Sequence, residues 1–311
     1  MVKELYDGRL AVKIGNLKMT TPVTTASGTF GFGLEFTDFV DLEKIGAITV
    51  KGTTLKPRNG NKGQRVVETP AGMLNCVGLE NPGVDYFLGT TLPQLQKYKV
   101  PVIVNIDGDS PEEYGELAEK LNVDGVAAIE INISCPNVAQ GGLAFGTCPQ
   151  EAAKVVKAVK THTGKTVITK LTPNVTDIVE IAKAVEAAGS DAVSLINTLL
   201  GMKIDVNCQK PVLGNVMGGL SGPAVRPVAV RMVYQVAQAV DIPIIGMGGI
   251  MCAEDALEFF LAGATAVAIG CGNFRKPDLT ETISQDLLTY LDKMGCKNIQ
   301  EIIGKALPIK K

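Results

Sequence analysis

Eight short runs of apolar and β-branched residues recur along the chain, and this repetition constrains the fold more than any other feature. The runs cover residues 22–26, 47–50, 101–106, 125–131, 166–171, 191–196, 243–247 and 266–270. Most are followed by a stretch with the spacing of an amphipathic helix, at 111–121, 148–160, 177–188, 226–240 and 253–262. Strands that alternate with helices pair in parallel through right-handed crossovers, and continuously apolar strands indicate burial on both faces.

Eight such units in 311 residues predict an α/β protein built as a (β/α)8 TIM barrel, with residues 1–311 forming a single domain. The alternative is a doubly wound open sheet, which usually carries a GxGxxG turn after its first strand. The nearest candidate, Gly28-Thr-Phe-Gly-Phe-Gly, lacks that spacing, so the barrel is favoured. Residues 9–14 and 18–19 predict a small N-terminal hairpin at the bottom of the barrel.

Two intervals, 52–100 and 197–242, are about twice as long as an ordinary βα unit and are rich in Gly, Pro and Asn. Both follow the C-terminal end of a predicted strand, and barrel active sites lie at that face. Long irregular loops in a compact domain usually act as lids or binding loops. We therefore expect two long irregular insertions that border a site at the C-terminal face.

Composition and cysteine spacing exclude several classes of function. The net charge is −2, so the chain has no basic excess for neutralising nucleic acid phosphates. The seven cysteines are scattered and form no CxxC pair, which argues against a disulfide framework and against a cysteine-ligated metal or cluster. We expect no metal site, and we expect a cytoplasmic location. The N-terminus lacks the apolar core of a signal peptide, and no apolar run is long enough for a bilayer, so no membrane association is expected.

Several polar residues stand where predicted strands end. Lys51 and Lys170 lie among apolar strand residues, where a lysine is rarely found without an anionic partner, so a functional role is favoured for both. For Asn105 and Ser27, a role in a turn is as well supported as a role in a site. The remaining polar residues of this kind are Asn132, Asn197 and Thr198.

Glycines follow the seventh and eighth predicted strands, as Gly248-Gly and Gly270-Cys. In barrels of this class the loops after these strands commonly bind phosphate through backbone N–H groups, and glycine lets the backbone approach closely. Ser221-Gly-Pro offers a third donor loop. These glycines predict a phosphate-bearing ligand.

Cys135 stands in a polar, glycine-rich loop after the fourth predicted strand. The lone histidine, His162, follows a helix and precedes the next strand, which places it at the opposite end of the barrel. A Cys–His nucleophile is therefore not expected. A thiol with cationic neighbours can still act as a general base, and proton abstraction beside a flavin is the reaction that fits.

Taken together, these segments resemble the dihydroorotate dehydrogenases, in particular the catalytic subunits of class 1B, over nearly the whole chain. The resemblance rests on Ala26-Ser-Gly-Thr-Phe-Gly, Val50-Lys-Gly-Thr-Thr, Gly72-Met-Leu-Asn-Cys-Val-Gly-Leu-Glu-Asn-Pro-Gly, Asn132-Ile-Ser-Cys-Pro-Asn, Lys170-Leu-Thr-Pro-Asn, Ile196-Asn-Thr, Gly218-Gly-Leu-Ser-Gly-Pro and Ile245-Gly-Met-Gly-Gly-Ile. The string that contains Cys135 is the most specific of them.

The resemblance implies a barrel that holds FMN at its C-terminal mouth and oxidises dihydroorotate to orotate in pyrimidine synthesis. Cys135 would remove the C5 proton while the C6 hydride goes to the flavin. The residues implied for the substrate are Lys51, Asn75, Val77, Gly78, Leu79, Asn132, Asn137, Asn197 and Thr198. The residues implied for FMN are Ser27, Lys51, Gly52, Asn105, Asn132, Lys170 and Ile196, with Gly222, Gly248, Gly249, Gly270 and Cys271 at its phosphate. Cys76 and Cys271 depart from the family pattern, where Ala and Thr are usual.

A cysteine base is typical of the class 1 enzymes. Class 1B implies that electrons pass to NAD⁺ through a partner subunit that carries FAD and a [2Fe–2S] cluster, with a homodimer of this chain inside a heterotetramer. Two alternatives stay open. One is an enzyme of class 1A type that uses fumarate, and the other is a non-catalytic barrel that binds a phosphate-bearing ligand.

Overall fold

A computed structural model describes residues 5–134 and 145–308 of the chain. In chain order the strands are β1 (Val12–Ile14), β2 (Leu17–Met19), β3 (Val23–Thr25), β4 (Ile48–Thr53), β5 (Val66–Thr69), β6 (Gly72–Asn75), β7 (Val102–Ile106), β8 (Ala128–Asn132), β9 (Thr166–Lys170), β10 (Ala192–Leu195), β11 (Leu199–Met202), β12 (Ile204–Asp205), β13 (Lys210–Pro211), β14 (Met217–Ser221), β15 (Ile244–Met247) and β16 (Ala266–Ile269).

The helices are α1 (Val84–Tyr86), α2 (Leu92–Leu95), α3 (Pro111–Lys120), α4 (Pro149–His162), α5 (Ile178–Ala187), α6 (Arg226–Ala237), α7 (Ala253–Leu261), α8 (Gly272–Arg275) and α9 (Leu279–Met294). A π-helical turn joins α1 to α2 without a break. Local sequence determines the helix ends: the Ser110 side chain accepts a hydrogen bond from the Glu113 N–H at the start of α3, and α9 ends at Gly295 in a left-handed conformation.

Eight parallel strands form the central sheet, in the order β3–β16–β15–β10–β9–β8–β7–β4. The sheet closes between its first and last strands, where Thr24 bridges to Ala47 and its hydroxyl donates to the Ala47 carbonyl at 2.6 Å. Each predicted apolar run overlaps one of these strands, and each predicted helical stretch overlaps one of the longer helices. The predicted (β/α)8 barrel is therefore confirmed.

The predicted N-terminal hairpin is present as the antiparallel pair β1 and β2. Its turn lies against the N-terminal end of β9, since the Asn16 N–H donates to the Thr166 hydroxyl at 2.9 Å. The hairpin therefore covers the bottom of the barrel, opposite the strand ends where the site was expected.

The two long insertions were predicted as irregular loops, and this prediction was wrong. The first supplies β5 and β6, the second supplies β11 and β14, and together they form one antiparallel sheet in the order β11–β14–β6–β5. Gly219 pairs with Asn75, and Ser221 pairs with Met73. The strands are short and half exposed on alternate residues, so the turn-forming glycines and asparagines between them concealed the strand pattern.

Within the described residues, no helix combines the length and apolar character needed to cross a bilayer.

Candidate active site at the mouth of the barrel

Because the barrel strands are parallel, their C-terminal ends meet at one mouth of the barrel. The residues predicted for the site reach this mouth from strands β4, β7, β8 and β9 and from the segments that follow β3, β10, β15 and β16. The sheet formed by the two insertions adds Asn75 and the residues after it. Cys135 and Asn137 lie outside the described residues.

Asn132, the last residue of β8, is the centre of a hydrogen-bonded amide network. Its Nδ2 donates to Asp107 Oδ2 at 3.0 Å, and its Oδ1 accepts from Asn197 Nδ2 at 3.2 Å. Asn197 Oδ1 in turn accepts from the Thr198 N–H at 2.8 Å. The Tyr114 hydroxyl, from α3, donates to the Asn132 backbone carbonyl at 2.7 Å. Three of the residues predicted to contact the substrate are thus locked into one arrangement of amide donors and acceptors.

The insertion sheet brings Asn75 and Thr198 to the same side of the mouth. Asn75 Nδ2 donates to the Gly219 carbonyl at 3.3 Å. A Cβ on Gly219 would overlap with the Thr198 hydroxyl, so only glycine allows this approach. The sheet therefore places the predicted substrate residues of the two insertions side by side.

Leu79 and Gly52 meet next to Asn105. Leu79 has a left-handed backbone with φ of 55°, which is uncommon for a residue with a branched side chain. A Cβ on Gly52 would lie 3.1 Å from Asn105 Oδ1 and 3.3 Å from Leu79 Cδ2. The preceding residues 77 and 78 pack on the loop before β5, where the Asn61 N–H donates to the Val77 carbonyl at 2.9 Å. These contacts hold the 77–79 segment against the strand that carries Lys51.

Lys51 lies half buried within β4. Among the residues that the structure describes, no carboxylate forms an ion pair with its ammonium group. The side chain also borders a cavity of about 390 Å³ that is lined by Glu35, Arg58 and Asn81 among others. A half-buried cation without a carboxylate partner is suited to an anionic ligand.

The predicted phosphate loops converge. Gly222, with φ of 110°, follows β14, and Gly249, with φ of 72°, follows β15. A Cβ on Gly249 would lie 2.5 Å from the Gly222 carbonyl oxygen, so the two loops are in direct contact. A Cβ on the preceding residue, Gly248, would lie 3.6 Å from Ile196 Cγ1, which places the residue after β10 beside them.

The third loop contains Gly270 and Cys271. Burial raises the pKa of the Cys271 thiol, and a hydrogen bond with Ser221 opposes this shift, so the thiol lies next to the end of β14. Above Gly270 the space is open within the described part of the chain, because, apart from its chain neighbours, an added Cβ would lie within 4 Å of Ala26 Cβ alone, at 3.8 Å. An added Cβ on Gly28, next to Ser27, would meet no atom of the other described residues within 4 Å.

This cradle fits the phosphate of a nucleotide cofactor. The Gly222 and Gly249 loops are in contact, and the Cys271 thiol of the third loop reaches Ser221. Backbone N–H groups of glycine loops are common ligands of phosphate. Lys170, the last residue of β9, places a buried cation just below the mouth, where it pairs with Glu130. Within the described part of the chain, no group of three or more His, Cys, Asp and Glu side chains is placed to hold a metal ion.

Three polar residues that hold the site together were not predicted from the sequence, namely Asp107, Glu130 and Ser194. Glu130 accepts hydrogen bonds from Asn105 and Ser194 and pairs with Lys170, and Asp107 accepts from Asn132. A signal was present, because Glu130 and Asn132 are the polar members of an otherwise apolar strand and alternate with Ile129 and Ile131. Their two-residue spacing puts both on the inner face.

The family model described as dihydroorotate dehydrogenase matches residues 9–291. A relative from Desulforamulus reducens is 61% identical over 298 residues, which cover 96% of this chain and 98% of the relative. A relative from Geotalea daltonii is 57% identical over 296 residues, which cover 95% of this chain and 97% of the relative. Both are named dihydroorotate dehydrogenase B (NAD(+)), catalytic subunit.

Among solved structures, the crystal structure of DHODH from Eimeria tenella in complex with ferulenol superposes with a TM-score of 0.79 at 22% identity. The match covers 96% of this chain and 89% of that one, and it supports the barrel fold. With the family model spanning most of the sequence and relatives more than half identical along its length, the chain belongs to the dihydroorotate dehydrogenase family.

Proposed function

We propose that the chain is the catalytic subunit of an NAD⁺-type dihydroorotate dehydrogenase and oxidises dihydroorotate to orotate in pyrimidine biosynthesis. One observation carries the proposal, the meeting of three features at one barrel mouth. They are a half-buried lysine that has no carboxylate partner among the described residues, an ordered amide network and a glycine cradle. The three meet in a chain 61% identical to a relative named for this activity. A planar, carboxylated pyrimidine with ring amides is the ligand that such a donor set suits.

The amide-lined side of the mouth would bind the substrate. Lys51 would neutralise the carboxylate, and the amides would pair with the ring N–H and C=O groups. The residues proposed for this role are Lys51, Asn75, Val77, Gly78, Leu79, Asn132, Asn137, Asn197 and Thr198. The hydrogen bonds among Asn132, Asn197 and Thr198 support it, because they preorganise the donors before a ligand arrives.

The glycine-lined side would hold FMN, which supplies the acceptor for the substrate hydride. Residues 1–311 would form one FMN-binding domain. The residues proposed for the cofactor are Ser27, Lys51, Gly52, Asn105, Asn132, Lys170 and Ile196, with Gly222, Gly248, Gly249, Gly270 and Cys271 at the phosphate. The open space above Gly270 and the contact between Gly222 and Gly249 support the phosphate assignment.

Cys135 would be the general base. Oxidation of dihydroorotate removes a proton from C5 and a hydride from C6 and forms the double bond between them. The thiolate of Cys135 would take the proton, while the hydride would leave toward the flavin side. The position supports the role, because Cys135 follows Ser134 directly, and the Ser134 N–H donates to Asn132 Oδ1 at 3.3 Å.

The electrons would leave through a second chain. We propose a homodimer of this chain within a heterotetramer, whose partner subunit carries FAD and a [2Fe–2S] cluster and reduces NAD⁺. The names of the relatives, which contain both NAD(+) and catalytic subunit, support a partner subunit and NAD⁺ as the acceptor. A cytoplasmic location is proposed with it.

Replacement of the base tests the assignment. Cys135→Ala should retain FMN and the spectral change on adding orotate, but flavin reduction by dihydroorotate should slow by about 10²- to 10⁴-fold, the usual contribution of a general base. Cys208→Ala is the matched control, since Cys208 is exposed and should leave the rate unchanged. Reduction of the Cys135→Ala flavin at the rate of the unaltered chain would reject the base. Strong turnover with fumarate by the chain alone would reject the NAD⁺ assignment.

A further inference from the structure

A buried ion pair lies inside the barrel, just below the mouth. Glu130 is 3% exposed and Lys170 is 5% exposed, and the Lys170 ammonium lies 3.5 Å from Glu130 Oε1. The same oxygen accepts from Asn105 Nδ2 at 2.7 Å, and Oε2 accepts from the Ser194 hydroxyl at 2.8 Å. One carboxylate on β8 therefore joins side chains from β7, β9 and β10.

Stability does not account for this pair. Removal of two charges from water is costly, and apolar residues of similar volume often serve a core equally well or better. The partners of Glu130 point to a role at the cofactor, because Asn105 and Lys170 are both proposed to face FMN. Glu130 itself pairs in register with Asn105 and lies two residues before the end of β8. Glu130 thus touches two groups proposed for the cofactor from the side of the barrel interior.

We propose that Glu130 is a positioning residue that orients Asn105 and Lys170 toward the cofactor and, as the counter-charge of Lys170, sets the reduction potential of the bound flavin. The inference rests on the proposed function, in which FMN occupies the mouth. Acceptance of a hydride adds one negative charge to the cofactor, and a nearby ammonium group stabilises that charge. A carboxylate 3.5 Å from the same ammonium weakens its field. The balanced pair lets the cofactor accept electrons from the substrate and still release them to the next carrier.

The test is the midpoint potential of the protein-bound FMN, measured by anaerobic titration against an indicator dye. Glu130→Gln keeps the shape of the side chain and an acceptor oxygen but removes the charge. The equilibrium constant for flavin reduction should then rise about tenfold, which for a two-electron couple is about 30 mV toward positive potential. Glu130→Asp keeps the charge, so the midpoint potential of its flavin should differ from that of the unaltered protein by less than a third of that shift.

Ser194→Ala is the matched control. Ser194 is fully buried and donates to the same carboxylate, so its replacement removes a hydrogen bond but no charge, and the potential should not move. A merely structural role for Glu130 predicts instead that all three variants weaken FMN binding and that the potential does not follow charge.

A second variant guards against a failure of Glu130→Gln to fold. Glu130→Gln combined with Lys170→Met leaves neither buried charge, and its potential should fall below that of the unaltered protein because the ammonium is gone. The inference is overturned if the midpoint potential of Glu130→Gln is unchanged or lower. It is also overturned if the midpoint potential of the double variant equals or exceeds that of the unaltered protein. If the chain binds FMN and is reduced by dihydroorotate, these results leave the proposed function intact. A chain that binds no FMN overturns both.

Discussion

Replacement of Gly270 separates a glycine required by a ligand from a glycine required by the protein. Gly270 follows β16, and its backbone is not left-handed. Of the residues that the structure describes, chain neighbours aside, an added Cβ would touch Ala26 alone, at 3.8 Å from its Cβ, which is ordinary van der Waals contact. The folded chain therefore has room for a side chain here. If FMN phosphate occupies that room, the methyl group should harm cofactor binding without harming the fold.

Two magnitudes follow for Gly270→Ala. A glycine replaced by alanine at a compatible position stabilises the folded state by about 0.4–1 kcal/mol, because the unfolded chain loses freedom. An extra methyl group forced into a packed contact costs about 1–3 kcal/mol, so the Kd for FMN should rise by about fivefold to about 150-fold. Stability without cofactor and affinity for cofactor are thus expected to change in opposite senses.

The assay uses the chain freed of FMN. Urea unfolding gives its free energy of unfolding, and titration with FMN, followed by quenching of flavin fluorescence, gives the Kd. Gly164→Ala is the matched control, because an added Cβ there meets no atom within 4 Å in the described ranges 5–134 and 145–308, its chain neighbours aside. Gly164 lies between α4 and β9, at the opposite end of the barrel. It should gain similar stability and keep the FMN affinity. An unchanged Kd in Gly270→Ala would refute the phosphate cradle.

Two further predictions concern charge and pH. Lys51→Met should raise the KM for dihydroorotate by about tenfold to about 150-fold, because a hydrogen bond to a charged group contributes about 1.5–3 kcal/mol. Lys56 is exposed and lies five residues further along the chain, so Lys56→Met should leave the KM unchanged. Steady-state kinetics measure both, and equal KM values would contradict the substrate role. Burial raises the pKa of Tyr6 to about 12, above its value of about 10 in the unfolded chain. The stability that the neutral phenol provides is therefore present below pH 10 and is lost as the pH rises toward 12. Tyr6→Phe removes the hydrogen bond to the Lys44 carbonyl, so it should lower the free energy of unfolding by about 0.5–1.5 kcal/mol at pH 8. The loss should be smaller at pH 11, and kcat should not change. An equal loss at both pH values, measured by urea unfolding, would contradict this prediction.

The barrel was predictable because its strands carry a strong local signal. Strands such as β7 and β9 are buried at every residue, so their apolar runs stand out from the helices between them. Parallel pairing then places all the C-terminal strand ends at one mouth, and this explains why Lys51, Lys170 and Asn132 could be predicted to lie at that mouth from their positions alone.

The insertion sheet and the buried carboxylate could not be predicted in the same way. Asn75 and Gly219 are 144 residues apart, and their strands are short and half exposed, so no local pattern shows that they pair. Glu130 was visible as an acidic residue in an apolar strand. The lysine that pairs with Glu130 could not be identified from the sequence, because several lysines are available and the pairing with Lys170 depends on how the barrel closes. The roles of Cys135 and Asn137 stay predictions from sequence.

Anaerobic mixing of the purified chain with dihydroorotate tests the central claim most directly. The absorbance of bound FMN is followed while orotate is quantified in the same sample. The proposed function predicts that the flavin absorbance is lost and that one orotate forms for each flavin reduced. A bound flavin that stays oxidised in the presence of excess dihydroorotate, with no orotate formed, would contradict it.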